Sequence, residues 1–223
     1  METDRTAWQR ARRPEQKLQR RDAILDAARA LLDRDGLEGT GINAIAREAG
    51  LSKPAIYTYF DSREAILLDL LSDEYADWIG ELAERVPNEA APQDIEALAR
   101  VIASSLSTRL SLCVLIGSVS SVLEHNVEPE TVAEFKRAIY AHRPRVLGLL
   151  QTVMPGLGEH HADAFMLLVV LLAGALWPAS HPSPVVAEVL ERPEFAPYAC
   201  AFEPHLTTFC ATYLRGLRDG SRG

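Results

Sequence analysis

The sequence predicts an all-α protein, with a helix-turn-helix three-helix bundle at the N-terminus followed by a helical C-terminal domain. Apolar residues recur at three- and four-residue spacing almost everywhere, and no long period-two alternation appears in the first 200 residues. Two short helical patterns meet at a tight Gly-containing turn between Thr40 and Arg63, which is helix-turn-helix spacing. The segment Pro87 to Pro92 then breaks the pattern ahead of a second series of amphipathic stretches.

The first helix carries Ile24, Ala27, Ala28, Leu31 and Leu32 on one face and stops at Asp35-Gly36, where Gly can take the left-handed C-terminal position. Thr40 is expected to cap a second helix with Ile42, Ile45, Ala46 and Ala49 inward, ended by Gly50. A third opens after Leu51 and Ser52, with Pro54 in its first turn, and closes near Phe60. Asp61-Ser62-Arg63-Glu64 resembles a capping box that starts a long fourth helix with Leu67, Leu70, Leu71, Trp78 and Leu82 on one side. Further helices are expected at 94–110, 111–125, 129–153, 161–177 and 199–218, with a Pro-rich connector before the last that holds a short helix around Val185–Leu190. The units are 1–19, a basic arm disordered in part; 20–63, the helix-turn-helix; 64–86, a connecting helix; and 94–223.

Of 223 residues, 48% are hydrophobic, and the formal charge is −8. This describes a globular, acidic chain and at first sight disfavours a phosphate-rich partner. Cys113, Cys200 and Cys210 have no CxxC spacing, so neither a disulfide framework nor a structural zinc is expected, and a reducing cytoplasm suits them. No secretory signal is visible, and the longest apolar run, Ala164 to Trp177, is 14 residues, short of a membrane span of roughly 20. Partition changes the meaning of the charge. Residues 1–63 hold 12 basic and 10 acidic residues, 64–93 hold 1 and 8, and 94–223 hold 10 and 13, so the basic excess sits at the N-terminus.

In the third helix Ile56 and Phe60 define the buried side, which turns Pro54, Ala55 and Thr58 outward as a small ridge flanked by Lys53 and Tyr57 on one side and Tyr59 on the other. Such a ridge fits a major groove about 12 Å wide, with the flanks on phosphates. Taken singly, Tyr57 and Tyr59 also suit core packing. The stretch INAIAREAGLSKPAIYTYFDSREAILLDLL, within a match over Arg20 to Leu71, resembles the tetracycline-repressor (TetR) family of bacterial transcription regulators. The resemblance implies a homodimeric helical repressor released from a palindromic operator by a small molecule bound in the C-terminal region. It implies phosphate contacts from Thr40, Ser52, Tyr57, Tyr59 and Arg63, with Lys53, Pro54, Ala55 and Thr58 at base edges. A Lys is more usual at position 63. The arm adds Arg5, Arg10, Arg12, Arg13, Lys17, Arg20 and Arg21 against Glu15, a set able to follow phosphates or enter a minor groove.

Ala164–Trp177 is apolar on every face and must be covered on every face. The final helix places Phe202, Leu206, Phe209, Tyr213 and Leu217 on a seam suited to a helix pair. In this family the two C-terminal helices commonly form a four-helix dimer interface, which here implies Phe165, Leu168 and Leu172 beside that seam. A mostly apolar effector pocket is expected among residues 94–177, lined by Trp78, Cys113, Gly117, Ser120, Phe135, Ile139, Phe165, Met166, Val169 and Trp177, with His125 or His142 as polar handle. The apolar excess favours a hydrophobic effector. No cofactor or metal is expected: Glu159 and Asp163 share a helix face, but the adjacent His160 and His161 diverge from each other by about 100° and cannot both join it, and Cys200, His205 and Cys210 are spread around their helix. No phosphate-loop, dinucleotide or nucleophile-elbow motif appears, so an enzyme is the remote alternative. An activator or architectural DNA-binding protein of the same fold is the nearer one.

Overall fold

The computed structural model describes the backbone of residues 3–220 and the side chains of residues 16–219. The described residues are helical, without strands. The elements are α1 (Thr3–Gly39), α2 (Ile42–Glu48), α3 (Lys53–Ile56), α4 (Arg63–Glu89), α5 (Ile95–Ser107), α6 (Leu110–Ser118) with a π-turn at 119–123, α7 (Pro129–Tyr140), α8 (Arg143–Val153), α9 (Glu159–Ser180), α10 (Pro184–Leu190), a 3₁₀ turn at 196–198 and α11 (Phe202–Gly220).

Several boundaries differ from expectation for identifiable reasons. The arm continues α1 back to Thr3, because its Arg, Gln, Lys and Ala are good helix formers. As expected, α1 breaks at Gly36, whose φ is 69°. The α4 cap falls on Ser62, whose oxygen accepts from the Ala65 N–H at 3.0 Å, so Asp61 is not the cap and Glu64 closes no box. Helix α4 runs through Pro87 to Glu89, moving the break to residues 90–94. The single helix expected at 129–153 is two, because Pro144 near the start of α8 has no N–H to donate and its ring crowds the carbonyl four residues back. Helix α9 is longer than the 14-residue apolar run, with 22 residues and an 18-residue window of mean hydropathy 1.9, so by length and composition it could cross a membrane, a test that the core helix of a helical bundle also passes.

Helix α4 is the shaft of the molecule. It packs on α1 toward the N-terminal bundle and on α5, α6, α7 and α8 beyond it, while α11 lies on α5 and α9, and α6 on α9. Trp78, fully buried on α4, donates Nε1–H to Ser105 Oγ at 2.9 Å, so the largest core side chain leaves no polar atom unpaired. The α6–α9 crossing depends on two glycines: a Cβ on Gly174 would lie 2.9 Å from Gly117 Cα, closer than side chains allow.

A charged seam joins the N-terminal bundle to the rest. Arg29 of α1 pairs with Glu74 of α4 at 2.6 Å. Arg109, just before α6, lies 3.9 Å from Glu74 and 2.7 Å from Glu81, which also holds Arg85 at 3.0 Å. Ser111 donates to Asp33 of α1 at 2.6 Å, and Arg21 pairs with Asp69 at 2.5 Å.

Candidate nucleic-acid interface and effector region

Local backbone chemistry sets the reading helix. After α2, Gly50 takes φ 64°, its N–H bonds Arg47 O at 3.2 Å, and the Leu51 N–H bonds Ala46 O at 2.8 Å. This paired helix ending turns the chain sharply. Ser52 then caps α3 by accepting from the Ala55 N–H at 3.4 Å. Bonds from Thr58 N–H to Ala55 O and Phe60 N–H to Ile56 O carry the helical path on to Phe60. Ile56 and Phe60 are buried, Lys53, Pro54, Tyr57 and Thr58 are exposed, and Ala55 is half-buried. The small outward ridge expected from the helical wheel is therefore present. Lys53 Nζ lies 6.0 Å from the Tyr57 ring centroid, leaving an ammonium and a phenol side by side on its flank. Tyr59 is half-buried and packs on the core, so it serves packing at least in part.

Three expected phosphate ligands have other work. Thr40 is fully buried and donates its hydroxyl to Gly36 O at 2.7 Å, while Gly41 is the N-cap residue of α2 and supplies no side-chain cap. It locks the α1–α2 turn and neither caps α2 nor faces solvent. Arg63 donates to Thr40 O at 2.7 Å and to Leu37 O, with Glu64 at 3.4 Å, so its guanidinium clamps that same turn to the start of α4. Arg21 faces α4, paired with Asp69 and flanked by Asp73 at 3.8 Å, and is not part of an outward arm. Lys17 and Arg20 are exposed, and Arg20 borders a cleft of about 440 Å³ with Gln16, Gln19, Ala23, Ala49 and Leu51, beside the α2–α3 turn. The side chains of Arg5, Arg10, Arg12 and Arg13 lie outside the described residues.

The expected effector pocket is not assembled as an open cavity. Trp78, Cys113, Phe165 and Val169 have no exposure, and Phe135, Met166 and Trp177 are buried with them. Burial pushes the Cys113 thiol up to about 12, and its sulfur lies against Leu106 O. Gly117 is the close helix crossing, not a pocket wall. Ser120 and His125 are exposed, and Ile139 is half-buried. His142 meets Tyr75 edge-on at 5.8 Å, and Tyr75 meets Trp78 at 5.7 Å, so one proposed polar handle does adjoin the aromatic core. Burial holds the Tyr75 phenol up to about 12. A cleft of about 520 Å³ lies elsewhere, at the charged seam, lined by Arg29, Asp33, Glu74, Glu81 and Arg109 among others.

The expected dimer seam divides in two. Phe165 and Leu206 have no exposure and Phe202 is buried, so these three belong to the chain's own core and cannot face a partner. Leu168, Leu172, Tyr213 and Leu217 are half-buried, and Phe209 is 42% exposed. The outward stripe of α9 is instead Leu167 and Leu171, 60% and 62% exposed. Because that helix is apolar all round, its pattern carries no signal separating the two faces.

The profile for bacterial regulatory proteins of the tetR family matches residues 24–70, and that for the tetracyclin repressor-like C-terminal domain matches residues 72–221. An uncharacterized HTH-type transcriptional regulator of Mycobacterium tuberculosis is 46% identical over 61 residues, 27% of this chain and 29% of that protein. The fatty acid metabolism regulator protein of Bacillus subtilis is 31% identical over 84 residues, 38% of this chain and 42% of that protein. The match thus spans less than half of either relative's length. Among solved structures, Thermus thermophilus FadR, a TetR family transcriptional repressor in complex with lauroyl-CoA, aligns with a TM-score of 0.57 at 19% identity, over 90% of this chain and 94% of that one. Bacillus subtilis FadR in complex with stearoyl-CoA aligns at 0.52 and 16% identity, over 86% and 97%. At these identities the likeness shows the fold.

Proposed function

We propose that this chain, which belongs to the TetR family of bacterial regulatory proteins and is a helix-turn-helix transcription regulator, not an enzyme, acts in the cytoplasm as a homodimeric repressor released from a palindromic operator by a small hydrophobic effector. The observation that carries the reading is the exposed α3 ridge. Pro54, Ala55 and Thr58 are small enough for close approach to base edges and thymine methyls. Ser52, Lys53 and Tyr57 fix the register on phosphates, with Tyr59 as a lesser contributor, and Lys17, Arg20 and the basic residues before them extend the contact along the duplex. Thr40 and Arg63 act indirectly by holding α2 and α3 on α4. Dimerisation through the outward faces of α9 and α11 spaces two such ridges for grooves one helical turn apart.

The effector reading rests on the apolar lining around Trp78 and on two fold neighbours that hold acyl-CoAs. A long-chain acyl-CoA is the first ligand to try. Entry requires the closed aromatic core beside His142 to open, which moves α4 and with it the clamped α1–α2 turn. Footprinting at physiological salt locates the operator. Tyr57→Ala and Lys53→Ala should weaken specific binding while the circular-dichroism spectrum stays helical, and lauroyl-CoA should release the DNA. If no specific sequence is protected, the operator reading fails. Reporter fusions in a deletion strain separate repression, where neighbouring genes rise, from activation, where they fall.

A further inference from the structure

The described basic side chains of the N-terminal bundle, residues 16–63, fall into two groups. Arg21, Arg29, Arg34 and Arg63 are each held by carboxylates of their own chain. Arg21 lies by Asp22, Asp69 and Asp73, Arg29 by Asp26 and Glu74, and Arg34 by Asp35 and Glu48. Around these three the carboxylates outnumber the guanidinium, so the local charge is negative and repels a phosphate. Among the described residues Lys17, Arg20, Arg47 and Lys53 form no ion pair. Exposure does not make this division, because Arg34 has 54% of its side chain open to water and is still ringed by charge.

Arg47 lies outside the α3 ridge and its flanks. It is exposed in the last turn of α2, with exposed Asn43 one turn before it on the same face and Ile45 and Ala46 buried on the other. Neither Asn43 nor Arg47 has a side-chain partner among the described residues. Glu48, the neighbouring carboxylate, is taken up by Arg34 at 3.2 Å. The bond from Gly50 N–H to Arg47 O ties Arg47 to the turn from which α3 starts. The same turn, through Ala49 and Leu51, walls the cleft of about 440 Å³ that Gln16, Gln19 and Arg20 border from α1. The polar groups of that cleft are two amides and a guanidinium, all able to donate, with no carboxylate among them.

We propose that these groups form a phosphate-binding strip around the α2–α3 turn, with Arg47 as a ligand on α2 and the Gln16, Gln19 and Arg20 cleft as a second seat on α1. The proposal rests on the DNA reading above and adds to it contacts that position the duplex without reading bases. Charge complementarity selects the occupant. A duplex presents one phosphate per about 1.7 Å of its axis, and the unopposed cations stand on both sides of the turn that launches the α3 ridge into the groove. The carboxylate-ringed arginines take no part.

The test follows fluorescence anisotropy of the full chain on two duplexes, the footprinted operator and one of unrelated sequence, from about 50 to about 200 mM salt. Arg47→Gln should flatten the slope of log K against log salt by about 0.9 on both duplexes, which makes the fall in affinity across that range about three- to fourfold smaller. The ratio of operator to unrelated affinity should stay as in the wild type. Arg20→Gln should behave likewise, whereas Arg34→Gln should keep the wild-type slope. Gln16→Ala with Gln19→Ala removes no charge and should weaken both duplexes about threefold or more at constant slope. A cation in the last turn of α2 also suits the helix dipole, so the slope, not stability, reads the role of Arg47. An unchanged slope in Arg47→Gln, or an equal flattening by Arg34→Gln, overturns the strip and leaves the α3 ridge standing. A changed affinity ratio in Arg47→Gln makes Arg47 a base-reading residue and overturns its assignment to phosphate. A wild type that binds neither duplex at about 50 mM salt overturns the DNA reading itself.

Discussion

Replacing Arg63 by Lys separates two roles that a single cation can play. In the structure the guanidinium donates to Thr40 O at 2.7 Å and to Leu37 O, with the side chain 23% exposed. Hydrogen bonds to a charged group contribute about 1.5–3 kcal/mol each. A Lys ammonium has donors but lacks the planar fork that aims two of them at both carbonyls at once, so at least one of the two bonds is expected to be lost. Arg63→Lys is therefore expected to destabilise the fold by about 1.5–3 kcal/mol, which for a chain of this length lowers Tm by about 3–12 °C. Its positive charge survives, so a role in neutralising phosphate would survive with it. Loss of a phosphate contact flattens the slope of log K against log salt by about 0.9 per contact. Thermal unfolding and fluorescence-anisotropy titrations at several salt concentrations, on Arg63→Lys and Arg63→Gln, read the two roles separately. Should Arg63→Gln flatten the slope while both variants keep the wild-type Tm, the turn-clamp argument is refuted and Arg63 is a phosphate ligand.

Three further outcomes follow from the geometry. Gly174→Ala puts a Cβ 2.9 Å from Gly117 Cα and should cost about 1–3 kcal/mol as α6 and α9 are forced apart, read as a lower denaturant midpoint. Removal of residues 1–17 should weaken DNA binding and flatten its salt dependence; an unchanged slope means the arm contributes no charge to the complex. Glu81 is partly buried, which alone would raise its carboxyl, but hydrogen bonds from Arg109 and Arg85 outweigh this and hold it below the usual 4.5. Its stabilising contribution is therefore full above the unfolded carboxylate's value near about 4.3 and is lost as pH falls through the lower folded value. Acid titration of stability should show wild type and Glu81→Gln converging as pH drops below about 4, and a constant gap would contradict the assignment.

Much of the recognition domain is legible in the sequence because its signals are local. The Ile24 to Leu32 stripe, the Gly50 ending and the Ile56/Phe60 face each follow from spacing and from what Gly and Pro permit. The differences between expectation and structure share a physical cause. Thr40 and Arg63 are residue types that suit phosphates, but their partners are main-chain carbonyls of Gly36, Leu37 and Thr40, which carry no residue-type signal. In α9 the hydrophobic pattern is uniform, so Phe165 and Leu167 look alike although one is sealed and the other open. Most of the residues expected to line the pocket are apolar, and apolar character is equally the recipe for the closed core that Trp78, Cys113, Phe165 and Val169 form.

The charged seam between α1, α4 and the start of α6 adds a polar component to the joint between reading head and body, beside the apolar packing of α1 on α4. Had that joint been an apolar interface, added salt would leave it intact or tighten it. Arg29, Arg109 and Glu81 are each partly open to water, so dissolved ions loosen the seam while they also compete for the duplex. The steepness with which operator affinity falls with salt thus contains a contribution from inside the protein, added to the number of phosphates neutralised. A rise in ionic strength without DNA should weaken these ion pairs, which thermal unfolding at several salt concentrations reads.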